Sequence, residues 1–180
     1  YDKRRRNFFQ NEFFAALTML EKGVPMEKMH GSWAGAMGQC QLMPSRYLKL
    51  AVDSNQKGYA DIWHDHQDAL FSIAHYLQVA GWQNNGRLVQ AISLTNQFPP
   101  NLAGLKTQKT LAEWYDLGVI PREHLENFNP SIKYSVLASD HSRKYAFLVD
   151  THNFKVIMQW NHSVSYALSV GLLAREISTR

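Results

Sequence analysis

Apolar residues recur at helical spacing in several separate stretches of this chain. Phe9, Phe13, Ala16, Leu17 and Leu20 repeat at intervals of three and four. That pattern predicts an amphipathic helix over about residues 7–22 with this stripe inward, stopped by Gly23. Pro44 heads a second helix through Arg46, Tyr47, Leu48, Leu50 and Ala51, where its fixed φ suits the first turn. Leu70, Ile73, Ala74, Leu77 and Val79 mark a third, with Asp68 as its cap and Gly81 as its stop. A last helix over about residues 163–177 sets Tyr166, Val170 and Leu173 on one face.

The period changes between these stretches. Tyr145 to Val149 and Lys155 to Trp160 are two apolar, β-prone runs joined by Asp150 to Phe154, and they predict a β-hairpin. From Trp82 to about Tyr145 no period holds. Phe98-Pro99-Pro100, Gly104, Gly118 and Pro121 cut this region into short pieces, with one short helix over Thr110 to Asp116. The expected architecture is mainly α (α+β). Residues 1–82 form the first part of a helical core, 83–144 an irregular satellite lobe, and 145–180 a small β-hairpin and a helix that return to the core.

Composition narrows the partners. The chain has 180 residues and is 45% apolar, enough for one sizeable core. A net charge of +4 and a pI of about 9.2 suit an anionic partner such as a cell wall, a membrane surface or a nucleic acid. Lys3 to Arg6 is the one dense basic run, and no nucleic-acid motif accompanies it, so nucleic acid is not the expected partner. Cys40 stands alone, which excludes an internal disulfide and a cysteine metal cluster and leaves packing as its role. No apolar run is long enough to span a bilayer as a helix. The sequence opens at Tyr1 rather than at Met and reads as a processed or truncated product, so missing targeting signals say little about location.

The chemistry concentrates in residues 31–45, GSWAGAMGQCQLMPS. Gly35 and Gly38 permit backbone conformations and close approaches that a β-carbon would block. Such a loop lets a bulky polar ligand lie against the backbone, with Ser32, Gln39 and Gln41 as donors and acceptors. A generic loop of this composition would be a tight connector between helices. This run closely resembles the signature of the lytic murein transglycosylase B family, and Gln41-Leu42-Met43-Pro44 echoes a motif shared more widely among lysozyme-like transglycosylases. Further segments resemble the same family: Tyr1-Asp2 with Arg4-Arg5, Ala51-Val52-Asp53, Asp61-Ile62-Trp63, Ser72 to Leu77, Gly81-Trp82, Asn153 to Ile157, and Trp160 to Val170. The stretch from about 83 to 140 matches only loosely.

The resemblance implies a lysozyme-like fold and cleavage of peptidoglycan glycan strands without a cofactor, in the bacterial periplasm or cell envelope. It also allows membrane association through a segment N-terminal to Tyr1. The family uses a single catalytic Glu in a Glu-Ser/Thr-x-Phe/Tyr-Gly motif, expected upstream of Tyr1, so no catalytic residue is assigned within this chain. Glu12 lacks the following Ser/Thr and Gly and reads as a helix-surface carboxylate, while Glu21 and Glu27 read as solvated. By position, the resemblance assigns substrate contacts to Ser32, Gln41, Tyr76, Trp160, Asn161 and Tyr166. Without it, Tyr76 and Tyr166 would read as core aromatics, and Trp160 equally as core or groove. Two other readings compete: a non-catalytic peptidoglycan-binding or scaffold module, and a lysozyme-type hydrolase.

Two patterns suggest metal and are read as structure. Asp53, Asn55, Gly58 and Asp61 fall at positions 1, 3, 6 and 9 of an EF-hand-like loop. Lys57 stands at position 5, where a carboxylate belongs, and His64 replaces the closing Glu, so a structural turn is expected. His64 and His66 lack a third ligand at metal spacing and are expected at the surface. Asn161-His162-Ser163 is formally a glycosylation sequon, which a bacterial protein would leave unused.

Overall fold

The computed structural model describes residues 5–84, 86–122, 128–139 and 145–178, so Tyr1, Asp2 and Arg4 of the family-like N-terminal segment lie outside the described residues. The chain divides into two compact units, Tyr1–Val79 and Ala80–Arg180.

The first unit is built on α1 (Arg6–Glu21), α2 (Pro44–Leu50) and α3 (His66–Val79). Helix α1 forms where its periodicity predicts, yet it turns a different face inward. Phe9, Phe13 and Leu17 are exposed, and the buried residues are Glu12 and Met19, two turns apart on one face. The reason is polar. Glu12 is only 8% exposed, because both its carboxylate oxygens accept hydrogen bonds from Ser45 at the start of α2. The expected surface carboxylate is an anchor between helices.

Helix α3 shows the same kind of correction. Asp65, not Asp68, caps it: Asp65 Oδ1 accepts from the backbone N–H of Gln67 at 2.9 Å and of Asp68 at 3.3 Å. Asp68 is instead fully buried with Ala69, Ser72 and Tyr76, while Leu70, Ala74 and Val79 of the predicted stripe are exposed. Met19, Val24, Met37, Leu42, Tyr47, Leu50 and Ile62 supply the core of this unit, and Cys40 packs among the buried residues as expected.

The second unit holds an antiparallel sheet of β1 (Val89–Leu94), β2 (Val119–Pro121), β3 (Tyr134–Ala138) and β4 (Ala146–Asp150) in the order β2-β1-β4-β3. Around it lie α4 (Leu111–Asp116), α5 (Thr151–Trp160) and α6 (Val164–Ser178). The predicted hairpin over 145–160 is not formed. Its first half is β4, which pairs with β1 and β3, and its second half is the helix α5. Asp150 decides the outcome, because its side chain accepts from the backbone N–H of His152 and Asn153 and starts a helix at Thr151. Phe154, Val156 and Ile157 then bury a helical face rather than alternating.

Thr110 opens α4 with the predicted boundary and a full capping box with Glu113. The core of this unit gathers Ile92, Phe98, Trp114, Val119, Tyr134, Val136 and Leu148, with the Trp114 indole N–H donating to the Tyr134 carbonyl at 2.9 Å. The region read as irregular therefore carries three of the four strands. Its strands are short, and β1 and β3 bury consecutive residues, so the alternation that marks a half-exposed strand is missing. No helix among the described residues is long and apolar enough to cross a membrane.

Candidate functional site

The loop between Gly31 and Met43 is a compact, internally hydrogen-bonded structure. Antiparallel bridges pair Gly31 with Met37 and Met37 with Leu42. Ser32 donates its backbone N–H to the Ala36 carbonyl at 2.8 Å, and its Oγ accepts from the Ala36 N–H at 3.1 Å. Gly38 must be glycine here. It has φ +67°, and a β-carbon on it would stand 2.6 Å from the Ile62 carbonyl oxygen. This close approach lets the Gln39 N–H bond the same oxygen at 2.9 Å.

Gln41 carries the strain of the loop. It adopts φ +50°, a left-handed conformation that costs a residue with a β-carbon about 1 kcal/mol or more. Its backbone N–H and its side-chain Nε2 both donate to the Gly38 carbonyl, at 3.2 and 2.9 Å, and the residue is exposed. Ser32 is exposed as well, so the loop presents a hydroxyl and an amide from a fixed backbone.

Next to Ser32 in the chain stands Trp33, 96% exposed. Trp33 is not among the contacts that the family resemblance assigns. The usable signal was its setting: a tryptophan among Gly, Ala and Ser in a tight loop has no neighbours large enough to bury it. A flat aromatic held in water suits the C–H face of a sugar ring, and amides and hydroxyls suit its polar rim.

Tyr76 lies on α3 and is 6% exposed, with the Arg46 guanidinium 5.7 Å from its ring centroid. In the second unit, Trp160 is the last residue of α5 and half-buried, Asn161 is the exposed residue that ends this helix, and Tyr166 is 37% exposed in the first turn of α6. Ser163 caps that turn, its Oγ accepting from the Tyr166 N–H at 3.2 Å. The predicted contacts thus fall into two sets, Ser32, Gln41 and Tyr76 in the first unit and Trp160, Asn161 and Tyr166 in the second.

Other candidates resolve into packing. Burial pushes the Cys40 thiol above its ordinary pKa, which opposes nucleophilic use. His64 is exposed, and the His66 Nδ1 lies 2.7 Å from the Gln39 Oε1, so this ring braces the signature loop. Trp63 braces it as well, its Nε1 donating to the His30 carbonyl at 2.7 Å.

This fold, with its braced Gly/Ala loop, is that of a lysozyme-like transglycosylase. The family model described as the transglycosylase SLT domain matches residues 1–175, and the chain belongs to that family. It is 32% identical over 177 residues to the membrane-bound lytic murein transglycosylase B of Escherichia coli strain K12, covering 97% of this chain and 47% of that protein. Among solved structures it is similar to SltB3 from Pseudomonas aeruginosa. The complex of SltB3 with NAG-NAM-pentapeptide superposes at TM-score 0.88 with 39% identity, covering 99% of this chain and 48% of that one. The complex with NAG-anhNAM-pentapeptide superposes at TM-score 0.84 with 40% identity, covering 97% and 47%. The Escherichia coli lytic transglycosylase Slt35 in complex with calcium matches at TM-score 0.77 and 29% identity, over 99% of this chain and 56% of that one. The chain spans about half the length of these relatives.

Proposed function

We propose that this chain is the glycan-holding part of a lytic transglycosylase that cleaves the β-1,4 bond between MurNAc and GlcNAc without water and leaves 1,6-anhydro-muramyl ends. The observation that carries this reading is the strained, exposed Gln41 in the hydrogen-bonded signature loop, since residues held in such strain cluster at functional sites. A relative about 40% identical holds NAG-anhNAM-pentapeptide, the product type this reaction makes.

Most glycosidases use two carboxylates, one as acid and one as nucleophile or base. The reaction proposed here needs one. A Glu protonates the glycosidic oxygen while the acetamido group of the sugar stabilises the electron-poor C1. The same Glu, now a carboxylate, takes the proton from the C6 hydroxyl, and the C6 oxygen closes onto C1. No Glu of residues 1–180 is proposed for that role. Glu12 does not fill the role, because both its oxygens are occupied by Ser45. Ser32 and Gln41 in one unit, and Trp160, Asn161 and Tyr166 in the other, are proposed to contact the glycan, with Tyr76 supporting from α3. The setting is the bacterial periplasm or cell envelope, where the glycan strands are.

The occupied Glu12 also favours a second reading, in which these residues bind glycan without cutting it. Incubation with purified sacculi, followed by mass spectrometry, separates the two. Residues 1–180 alone are expected to release nothing, and the full-length gene product is expected to release anhydro-muropeptides. Hydrated muropeptides from the longer protein would establish a hydrolase, and no products from it a binding module.

A further inference from the structure

Four carboxylates crowd the turn between α2 and α3: Asp53, Asp61, Asp65 and Asp68. The spacing of this segment resembles a calcium loop, but its oxygens are already engaged by N–H and O–H donors. Asp53 accepts from the backbone N–H of Lys57 at 3.2 Å on one oxygen and of Gly58 at 2.8 Å on the other. Asp61 Oδ1 accepts from the N–H of Trp63 and His64, and its Oδ2 from Lys28 Nζ at 2.7 Å. Asp68 Oδ1 accepts from the backbone and hydroxyl of Ser54, and its Oδ2 from the Asp61 N–H at 2.7 Å. Asp65 uses Oδ1 to cap α3 and Oδ2 to accept from Asn55 Nδ2 and Lys57 Nζ.

Lys57 is the centre of this arrangement. Its ammonium lies 2.9 Å from Asp65 Oδ2 and 3.1 Å from Asp68 Oδ2, bridging two carboxylates, one of them fully buried. A calcium ion takes six to eight oxygens. To bind here it would have to expel that ammonium and displace Lys28 from Asp61 Oδ2. The donor set does not fit the metal.

We propose that Lys57, seconded by Lys28, is the resident cation of this turn, a tethered ammonium in the role a divalent ion would otherwise play. The consequence reaches the signature loop. The turn held by these lysines presents the Ile62 and Trp63 carbonyls that accept from Gln39, and the Ala60 carbonyl that accepts from the Tyr47 hydroxyl at 2.8 Å. The geometry of the loop is therefore set without metal. The inference does not depend on what the loop binds.

Thermal unfolding of the 180-residue chain, followed by circular dichroism in chelator or in millimolar calcium, tests it. The unaltered protein is expected to melt at the same temperature in both. Lys57→Asn is expected to melt several degrees lower in chelator, because Asp65 and Asp68 then face each other uncompensated, and to recover part of that loss in calcium. A rise of the unaltered protein's midpoint in calcium, reversed by chelator, would overturn the proposal. So would a Lys57→Asn protein that melts like the parent, or one that calcium fails to rescue. If that variant does not fold, the unaltered protein's response to calcium still decides the question.

Discussion

Glu12 grips Ser45 with both carboxylate oxygens, Oε2 accepting from the backbone N–H at 2.9 Å and Oε1 from the hydroxyl at 2.7 Å. The pair links the middle of α1 to the first turn of α2, directly after Met43, where the signature loop ends. Glu12→Ala leaves an N–H and a hydroxyl without acceptors, and because both are only partly buried the two together cost about 1–3 kcal/mol. Urea denaturation should show a loss in that range. Glu12→Gln should lose less, because the amide oxygen can keep one of the two bonds. A Glu12→Ala protein as stable as the parent would show that the contact holds nothing.

Gly38 allows two loops to touch at a backbone oxygen. Gly38→Ala places a methyl group 2.6 Å from the Ile62 carbonyl at a φ of +67°, so it meets both steric and conformational resistance. The expected outcome is a loss of about 2 kcal/mol or more and broadened amide signals over Gln39 to Leu42 in nuclear magnetic resonance spectra. Gly35→Ala, whose β-carbon would meet only the end of the Met43 side chain at 3.6 Å, should cost less.

The acid turn predicts a pH dependence with a definite sign. Burial pushes the Asp61 carboxyl up, and the Lys28 ammonium together with the N–H groups of His64 and Trp63 overcomes this and leaves it at about 2. A carboxyl held below its unfolded value adds stability above that value, near 4, and the gain disappears as pH falls through about 2. For Asp61 the contribution is about 2 kcal/mol. Stability should therefore decline between about pH 5 and pH 2. The decline should be shallower in Asp61→Asn, which lacks this titration. An equal slope in both proteins would remove Asp61 as its cause.

Gln41 separates fold from function. Gln41→Gly removes the strain of φ +50° and also the hydrogen bond from Nε2 to Gly38, so stability should stay within about 1 kcal/mol of the parent. Muropeptide binding, expected near millimolar or about −4 kcal/mol for the chain alone, should become undetectable by amide shift titration. Trp33→Ala should weaken it about tenfold, or about 1.4 kcal/mol, with no effect on unfolding. Shifts that leave residues 32–41 untouched, or either variant binding like the parent, would place the glycan elsewhere.

The sequence by itself determined the signature loop, the helices that start at Pro44 and after Thr110, and the family. The helices and the loop rest on local chemistry, a proline with a fixed φ, breakers on either side of a short apolar run and glycines where a β-carbon cannot fit, and the family rests on the motifs. It also placed Lys57 against a calcium reading. What only the tertiary structure decided was which side of each helix is inside and what the apolar runs become. Glu12 and Asp68 are buried because partners distant in sequence, Ser45 for one and Ser54 with Lys57 for the other, satisfy their oxygens. No helical period can report such partners. Residues 146–149 and 156–158 are both unbroken apolar runs, yet one lies in a strand and the other in a helix. The strand has β1 and β3 to pair with on either side, and the helix has the Asp150 carboxylate to start it, so pairing and capping settled what composition left open.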